Sequence, residues 1–192
     1  MRPRIILTIA GVMLVASIGT AGVIVAPHLK IPTSVYQNPN VPPGYYKVSY
    51  VSDGDTFAVT MDGHDEKVRL IGVDTPETVK PNSPQECYGK MASDFAKHTL
   101  SGQTVRLEAD PINQNRDRYD RLLRYAYLPD GSLLNATLIS QGYGFAYLSF
   151  PFTKAEEFRQ LQTKARQQNL GVWSGECTIS NPDSNRPKSN TL

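Results

Sequence analysis

Two short segments of this chain carry oxygen donors at a density that strand structure alone does not call for. Asp53-Gly54-Asp55-Thr56 and the run from Arg69 to Thr78, which holds Asp74, Thr75 and Glu77, bring four carboxylates and one guanidinium to the ends of apolar strands. Acids gathered there need a counter-charge. The donors are all oxygens, from Asp53, Asp55, Asp74, Glu77, the Thr75 hydroxyl and main-chain carbonyls, while Cys87 and Cys177 lie elsewhere and the nearest histidine, His64, sits at a turn. Such a set selects a hard cation over zinc or copper. Mixed carboxylate and carbonyl ligands suit Ca2+ better than Mg2+, which demands stricter octahedral geometry, so Ca2+ is the expected ion. Each aspartate taken singly is an ordinary turn residue. The convergence of five charged groups on one hairpin end is what points to a metal.

The elements that would hold these groups follow from periodicity. Phe57, Val59 and Met61 alternate with Ala58 and Thr60, and Val68 and Leu70 alternate with Arg69 and Ile71, the period of half-buried strands. Asp62-Gly63-His64-Asp65 links them with an Asp-Gly pair favoured in hairpins. A turn centred between Gly63 and His64 sets Val59 against Val68, Phe57 against Leu70 and Asp55 against Gly72, which makes Asp74 the diagonal neighbour of Asp55. Strict alternation then puts Arg69 on the opposite face from Asp74, so Arg69 reaches the acids only if barrel curvature or a bulge turns it inward.

Three blocks, Asp53 to Thr56, Arg69 to Thr78, and Asp117-Arg118-Tyr119-Asp120-Arg121-Leu122-Leu123-Arg124-Tyr125, resemble the signature segments of the staphylococcal nuclease (thermonuclease) family. Tyr147 and Leu170-Gly171-Val172-Trp173-Ser174 resemble its later landmarks, and the likeness runs in order from about Tyr45 to Ser174. The resemblance implies that Asp55, Asp74 and the carbonyl of Thr75 hold Ca2+, with Asp53 acting through water. It implies that Glu77 positions or deprotonates the attacking water, that Arg69 and Arg121 grip the phosphate, and that Tyr119 and Tyr147 border the nucleotide. The implied fold is α+β, a five-stranded OB-fold barrel with three helices. The implied activity is Ca2+-dependent hydrolysis of DNA and RNA phosphodiesters to products ending in a 3′-phosphate. A noncatalytic OB-fold module that only binds nucleic acid is the alternative, and such modules lose the acids or the arginines that this chain keeps. Ser149 departs from the pattern, standing where better-known members carry a second tyrosine, and the loop Val79 to Gln85 has a single lysine.

The chemistry asks for these residue types. Attack of water on phosphorus builds negative charge on the equatorial and departing oxygens, which a cation and planar guanidinium forks neutralise. A carboxylate beside them orients or deprotonates the water.

Composition and the chain ends complete the reading. Arg2 and Arg4 account for the formal charge of +2, leaving the rest of the 192-residue chain neutral. Strong positive charge is the usual footprint of a nonspecific nucleic-acid binder, so affinity for substrate is expected to be local. Ile5 to Ala26 is free of charge and long enough to cross a bilayer. It reads as a signal anchor or a signal peptide, with the nuclease part exported, membrane-anchored or secreted. Residues 27–44 read as a linker, 45–177 as a monomeric nuclease-like domain, and 178–192, with Pro182 and Pro187, as a disordered tail. Cys87 and Cys177 are either free thiols or one bridge worth roughly 4–5 kcal/mol by loop entropy. Further strands are expected over 104–109 and 122–128, and helices over 90–100, over 135–141 capped by Asn135, and after a Thr153/Glu156 capping box. The Asn135-Ala136-Thr137 triplet also has the form of a glycosylation sequon. His28, His64 and His98 are too scattered to form a site.

Overall fold

In the computed structural model, residues 44–78 and 84–192 are described. The expected membrane segment, most of the linker and most of the loop after Glu77 therefore lie outside the described residues. Five strands, β1 (Tyr45–Asp53), β2 (Thr56–Met61), β3 (His64–Leu70), β5 (Thr104–Glu108) and β6 (Leu122–Tyr127), close a barrel in the order β1-β2-β3-β6-β5. The β3–β6 pair is parallel and the other pairs are antiparallel. Three helices surround it, α1 (Gly89–Leu100), α2 (Leu134–Ser140) and α3 (Ala155–Gln167). Among the described residues no helix is long and apolar enough to cross a membrane.

The barrel core is built from the alternating apolar positions. Phe57, Val59, Val68, Leu70, Val105, Leu122 and Tyr125 are buried, with Leu100, Leu134, Leu138, Ile139 and Phe158 packed over them from the helices. Strand β1 escapes the simple pattern because its pairing with β2 slips between Val48 and Tyr50 and again between Val51 and Asp53. Each slip moves the following side chains to the other face, which erases the period of two.

The hairpin register differs from the expectation by two residues. Asp62 and Gly63, at φ 50° and 85°, occupy both central positions of a two-residue turn, so Met61 pairs His64, Phe57 pairs Val68 and Thr56 pairs Arg69. Two consecutive left-handed residues are what the tightest hairpin turn requires, and Asp-Gly supplies them. An even shift keeps every side chain on its face, so the core is as expected while the partners are not.

Asp74 is not a diagonal neighbour of Asp55 across this hairpin. The chain leaves β3 at Leu70, turns at Gly72 (φ 70°), and continues as a short strand β4 (Val73–Asp74) paired with β7 (Phe145–Ala146) outside the barrel. A Cβ on Gly72 would lie 2.5 Å from the Phe152 ring and 2.8 Å from that of Phe158. Only glycine allows both the dihedral and the close packing.

Two helix starts also depart from expectation. Asn135 is neither cap nor exposed sequon: it lies inside α2, buried, with its Oδ1 accepting from Ala126 N at 3.0 Å and its Nδ2 donating to Ile71 O at 2.9 Å. It ties β6 to the turn that leads to Asp74. Thr153 spends its hydroxyl on Asp110 Oδ2 at 2.5 Å, and α3 begins after Lys154 without a side-chain cap.

The segment 178–192, expected as a disordered tail, is ordered. Two short strands, β8 (Ile179–Ser180) and β9 (Lys188–Ser189), pair with each other. A disulfide joins Cys87 to Cys177, Cys87 N donates to Asn190 O at 2.7 Å, and the buried Ser189 donates through Oγ to Cys87 O at 2.9 Å. These anchors hold a polar hairpin that has no core of its own.

Candidate active site

The groups singled out by type come together on the outer side of the barrel wall. Val68 and Leu70 of β3 point into the core, so Arg69 between them points away from it. Beyond Gly72 the chain folds over that outer side and brings Asp74 to Arg69. No bulge in β3 is needed, because the acid moves to the arginine.

Arg69 is the hub. Its Nη2 lies 3.1 Å from Asp55 Oδ2 and 3.1 Å from Asp74 Oδ1. Its Nη1 donates to the carbonyls of Val73 at 2.6 Å and Leu70 at 3.0 Å, so the guanidinium also pins the β3–β4 turn. Asp55 Oδ2 further accepts from Thr75 N at 2.9 Å and Thr75 Oγ1 at 3.1 Å. Gly54 makes that approach possible, since a Cβ there would lie 2.8 Å from the Thr75 side chain.

Arg121, from the end of the β5–β6 loop, joins the same cluster through a hydroxyl. Its Nη1 donates to Thr56 Oγ1 at 3.3 Å, and Thr56 Oγ1 donates to Asp55 Oδ1 at 2.9 Å. Asp117 orients Arg121, with Oδ2 at 2.7 Å from Nε and 2.6 Å from Nη2. Tyr119, 64% exposed, lies with its ring 5.4 Å from the Arg121 guanidinium carbon. Tyr147 hangs from the turn, its N donating to Gly72 O at 2.9 Å. Arg69, Asp74, Tyr119, Arg121 and Tyr147 line one open cleft of about 700 Å³.

Glu77 and Asp53 stand together beside this cluster. Thr78 Oγ1 donates to Asp53 Oδ1 at 3.0 Å, Glu77 N donates to Glu86 Oε2 at 3.0 Å, and Asp53 shares a hydrogen bond with Glu77. Burial pushes the Asp53 carboxyl up to about 6, with the charge of Asp55 and the Glu77 contact adding to it. Burial likewise raises Asp74 above the ordinary carboxylate range, against the pull of Arg69. For Asp53 and Asp74, burial thus disfavours the charged form.

A cation bound beside them would favour the charged forms. Among the described residues no three His, Cys, Asp or Glu side chains form a ready metal cage. Two carboxylates already converge on one positive group, however, with the Thr75 backbone beside them. An all-oxygen set of two acids plus a carbonyl fits a hard cation completed by water.

Three contributors are not marked by the sequence as members of the site. Thr56 couples Arg121 to Asp55, Asn135 holds the turn before Asp74, and Arg186 of the C-terminal segment reaches Asp74 Oδ2 through Nε at 3.2 Å. For Arg186 the one available clue is Cys177, because a bridge to Cys87 returns the chain to the neighbourhood of Glu86 and Glu77.

Comparison with known proteins is consistent with this geometry. Residues 67–175 match the family described as staphylococcal nuclease homologue. The chain is 46% identical over 129 residues to a thermonuclease of Staphylococcus intermedius, covering 67% of this chain and 75% of the relative. It is also 46% identical over 130 residues to a thermonuclease of Staphylococcus hyicus, with 67% and 75% covered. Endonuclease YncB of Bacillus subtilis is 39% identical over 131 residues, with 67% of this chain and 61% of the relative covered.

Proposed function

The chain belongs to the staphylococcal nuclease family, and from that membership we propose a Ca2+-dependent hydrolysis of DNA and RNA phosphodiesters in the cleft between Arg69 and Arg121. Nuclease action is shared with thermonuclease relatives at 46% identity, and the chain is a thermonuclease-like enzyme. The observation that carries the metal and residue assignments is the convergence of Asp55 and Asp74 on the Arg69 Nη2, both at 3.1 Å, with Arg121 linked to them through Thr56.

In this reading Asp55, Asp74 and the carbonyl of Thr75 hold the ion, and Asp53 acts on it through water. A bound Ca2+ would supply positive charge against the phosphate oxygens. Arg69 and Arg121 present planar forks to the same phosphate, held in place by the Val73 and Leu70 carbonyls and by Asp117. Glu77 orients or deprotonates the water that attacks phosphorus, and the bond to the departing sugar oxygen breaks to leave a 3′-phosphate. Tyr119 and Tyr147 flank the cleft as nucleotide-facing walls. The barrel reads as an OB-fold.

The Cys87–Cys177 bridge fits an oxidising compartment. With the charge-free run Ile5 to Ala26 it supports export, as an anchored or a released enzyme. The test is digestion of single-stranded DNA, duplex DNA and RNA by the full chain with Ca2+, Mg2+ or a chelator. Cleavage of all three with Ca2+ and none with chelator is expected, and no cleavage under any condition would refute the reading.

A further inference from the structure

Among the arginines lining the cleft, Arg118 and Arg186 have no part in the mechanism above, and Arg118 is engaged by its neighbour, donating through Nη2 to Tyr119 OH at 2.7 Å. Arg186 sits between β8 and β9 on the ordered C-terminal hairpin and faces the same cleft as Arg69 and Arg121. Its place is fixed from several sides. Asn185 O accepts from Leu148 N at 2.9 Å, Arg186 N donates to Ser184 Oγ at 3.2 Å, and the hairpin is tied to the α1 entrance through Ser189, Asn190 and the disulfide.

The guanidinium carbon lies 5.0 Å from the centre of the Tyr147 ring, and Nε is 3.2 Å from Asp74 Oδ2. The aromatic face sets the plane of the fork while the carboxylate holds its inner edge. Arg69 and Arg121 commit several donors to the protein, Arg69 to two carboxylates and two carbonyls and Arg121 to Asp117 and Thr56. Arg186 makes one carboxylate contact, through Nε, and its side chain is 48% exposed. Its two Nη groups make no hydrogen bond to another of the described residues. Arg186, Asp74, Arg69, Asp55, Thr56 and Arg121 form one chain of contacts that begins at Arg186 and ends at Arg121. Asp74 and Tyr147 place Arg186, whereas Asp117 and Thr56 place Arg121, so the two guanidinium groups are held by separate parts of the cleft lining.

We propose that Arg186 is a third phosphate-binding arginine, supplied by the C-terminal hairpin, which grips a backbone phosphate adjacent to the scissile one on the Tyr147 side of the cleft. The inference rests on the nuclease reading of that cleft. It makes the hairpin part of the substrate site and gives an otherwise neutral chain a local anchor for a polyanion.

The test uses the full, oxidised chain with a twelve-nucleotide single-stranded DNA in Ca2+. Binding is measured by fluorescence anisotropy in a Glu77→Gln background over a range of KCl, and steady-state kinetics are measured without that change. Arg186→Ala is expected to weaken binding about three- to ten-fold and to lower the salt slope by about 0.7, the loss of one phosphate contact on a single strand. KM should rise by a similar factor with kcat within about two-fold, and Arg186→Lys should keep most of the slope. Unchanged affinity and slope in Arg186→Ala overturn the proposal. So does an unchanged slope with tighter Ca2+ binding by calorimetry, which would make Arg186 only a counter-ion of Asp74. Arg121→Ala serves as the control: if it loses turnover while Arg186→Ala changes nothing, the proposal alone fails. If the parent neither binds nor cleaves, the nuclease reading falls and takes the proposal with it.

Discussion

Arg69 and Arg121 are held by different means, and this sets what each can lose. Arg121 is oriented by Asp117 Oδ2, while Asp117 Oδ1 accepts from the backbone N of Tyr119 at 2.9 Å and of Arg121 at 3.0 Å, so that oxygen keeps both donors if the side chain is removed. Arg121→Ala should therefore fold normally by circular dichroism yet lose kcat by on the order of 10³-fold. Arg121→Lys should recover only part, because an ammonium cannot make the two-pronged contact. Asp53 shows the converse, a group that costs stability. Burial pushes its carboxyl up to about 6, so the folded chain binds its proton more tightly than the unfolded chain does. Its contribution to stability is present below the unfolded value near 4 and is lost as pH rises through about 6. Without a cation, Asp53→Asn should raise the melting temperature by roughly 2–6 °C at pH 8 and leave it unchanged at pH 4. At this scale the residue types were legible in the sequence, because chemistry limits which side chains can bind a hard cation or a phosphate. The relay through Thr56 was not, since a threonine beside an aspartate is ordinary until Arg121 arrives from the β5–β6 loop.

Elements decide where those side chains meet, and Gly72 is the pivot. Its left-handed dihedral ends the barrel strand, and its missing Cβ admits Phe152, which together aim β4 so that Asp74 lands on Arg69. Gly72→Ala should cost about 2–4 kcal/mol in urea unfolding, from the strained φ and the steric overlap. It should also lower activity at saturating Ca2+, because Asp74 rides on β4. The apolar alternation of β2 and β3 was readable from sequence since it has a period of two. The register was not, because one Asp-Gly pair allows neighbouring turn centres and the faces are the same for either. Asn135 was misread for a related reason. A helix cap and a buried bridge to Ala126, Ile71 and Arg124 call for the same side chain, and only the packing of α2 on β6 distinguishes them.

Across the whole molecule, separate parts of the chain are pinned by a few polar knots. Asp110 is one: although burial opposes its charge, donors from Thr153 N and Oγ1, Tyr125 OH and Ile112 N outweigh it and hold the carboxyl down to about 2. Its stabilisation is present above the unfolded value near 4 and is lost as pH falls through about 2. Asp110→Asn should therefore cost about 2 kcal/mol at pH 7, with the gap to the parent closing near pH 2 in chemical denaturation. The disulfide is another knot, and the polar segment beyond it, which reads as a tail, brings Arg186 to the lining of the cleft. The sequence by itself determined the core-facing residues, the all-oxygen donor set and the family, because burial, ligand hardness and motif spacing are properties of residues and their order. The tertiary structure alone decided that Asp74 reaches Arg69 by a fold-over at Gly72 and that Arg186 stands beside Tyr147. Both depend on contacts between residues distant along the chain, which no local pattern records.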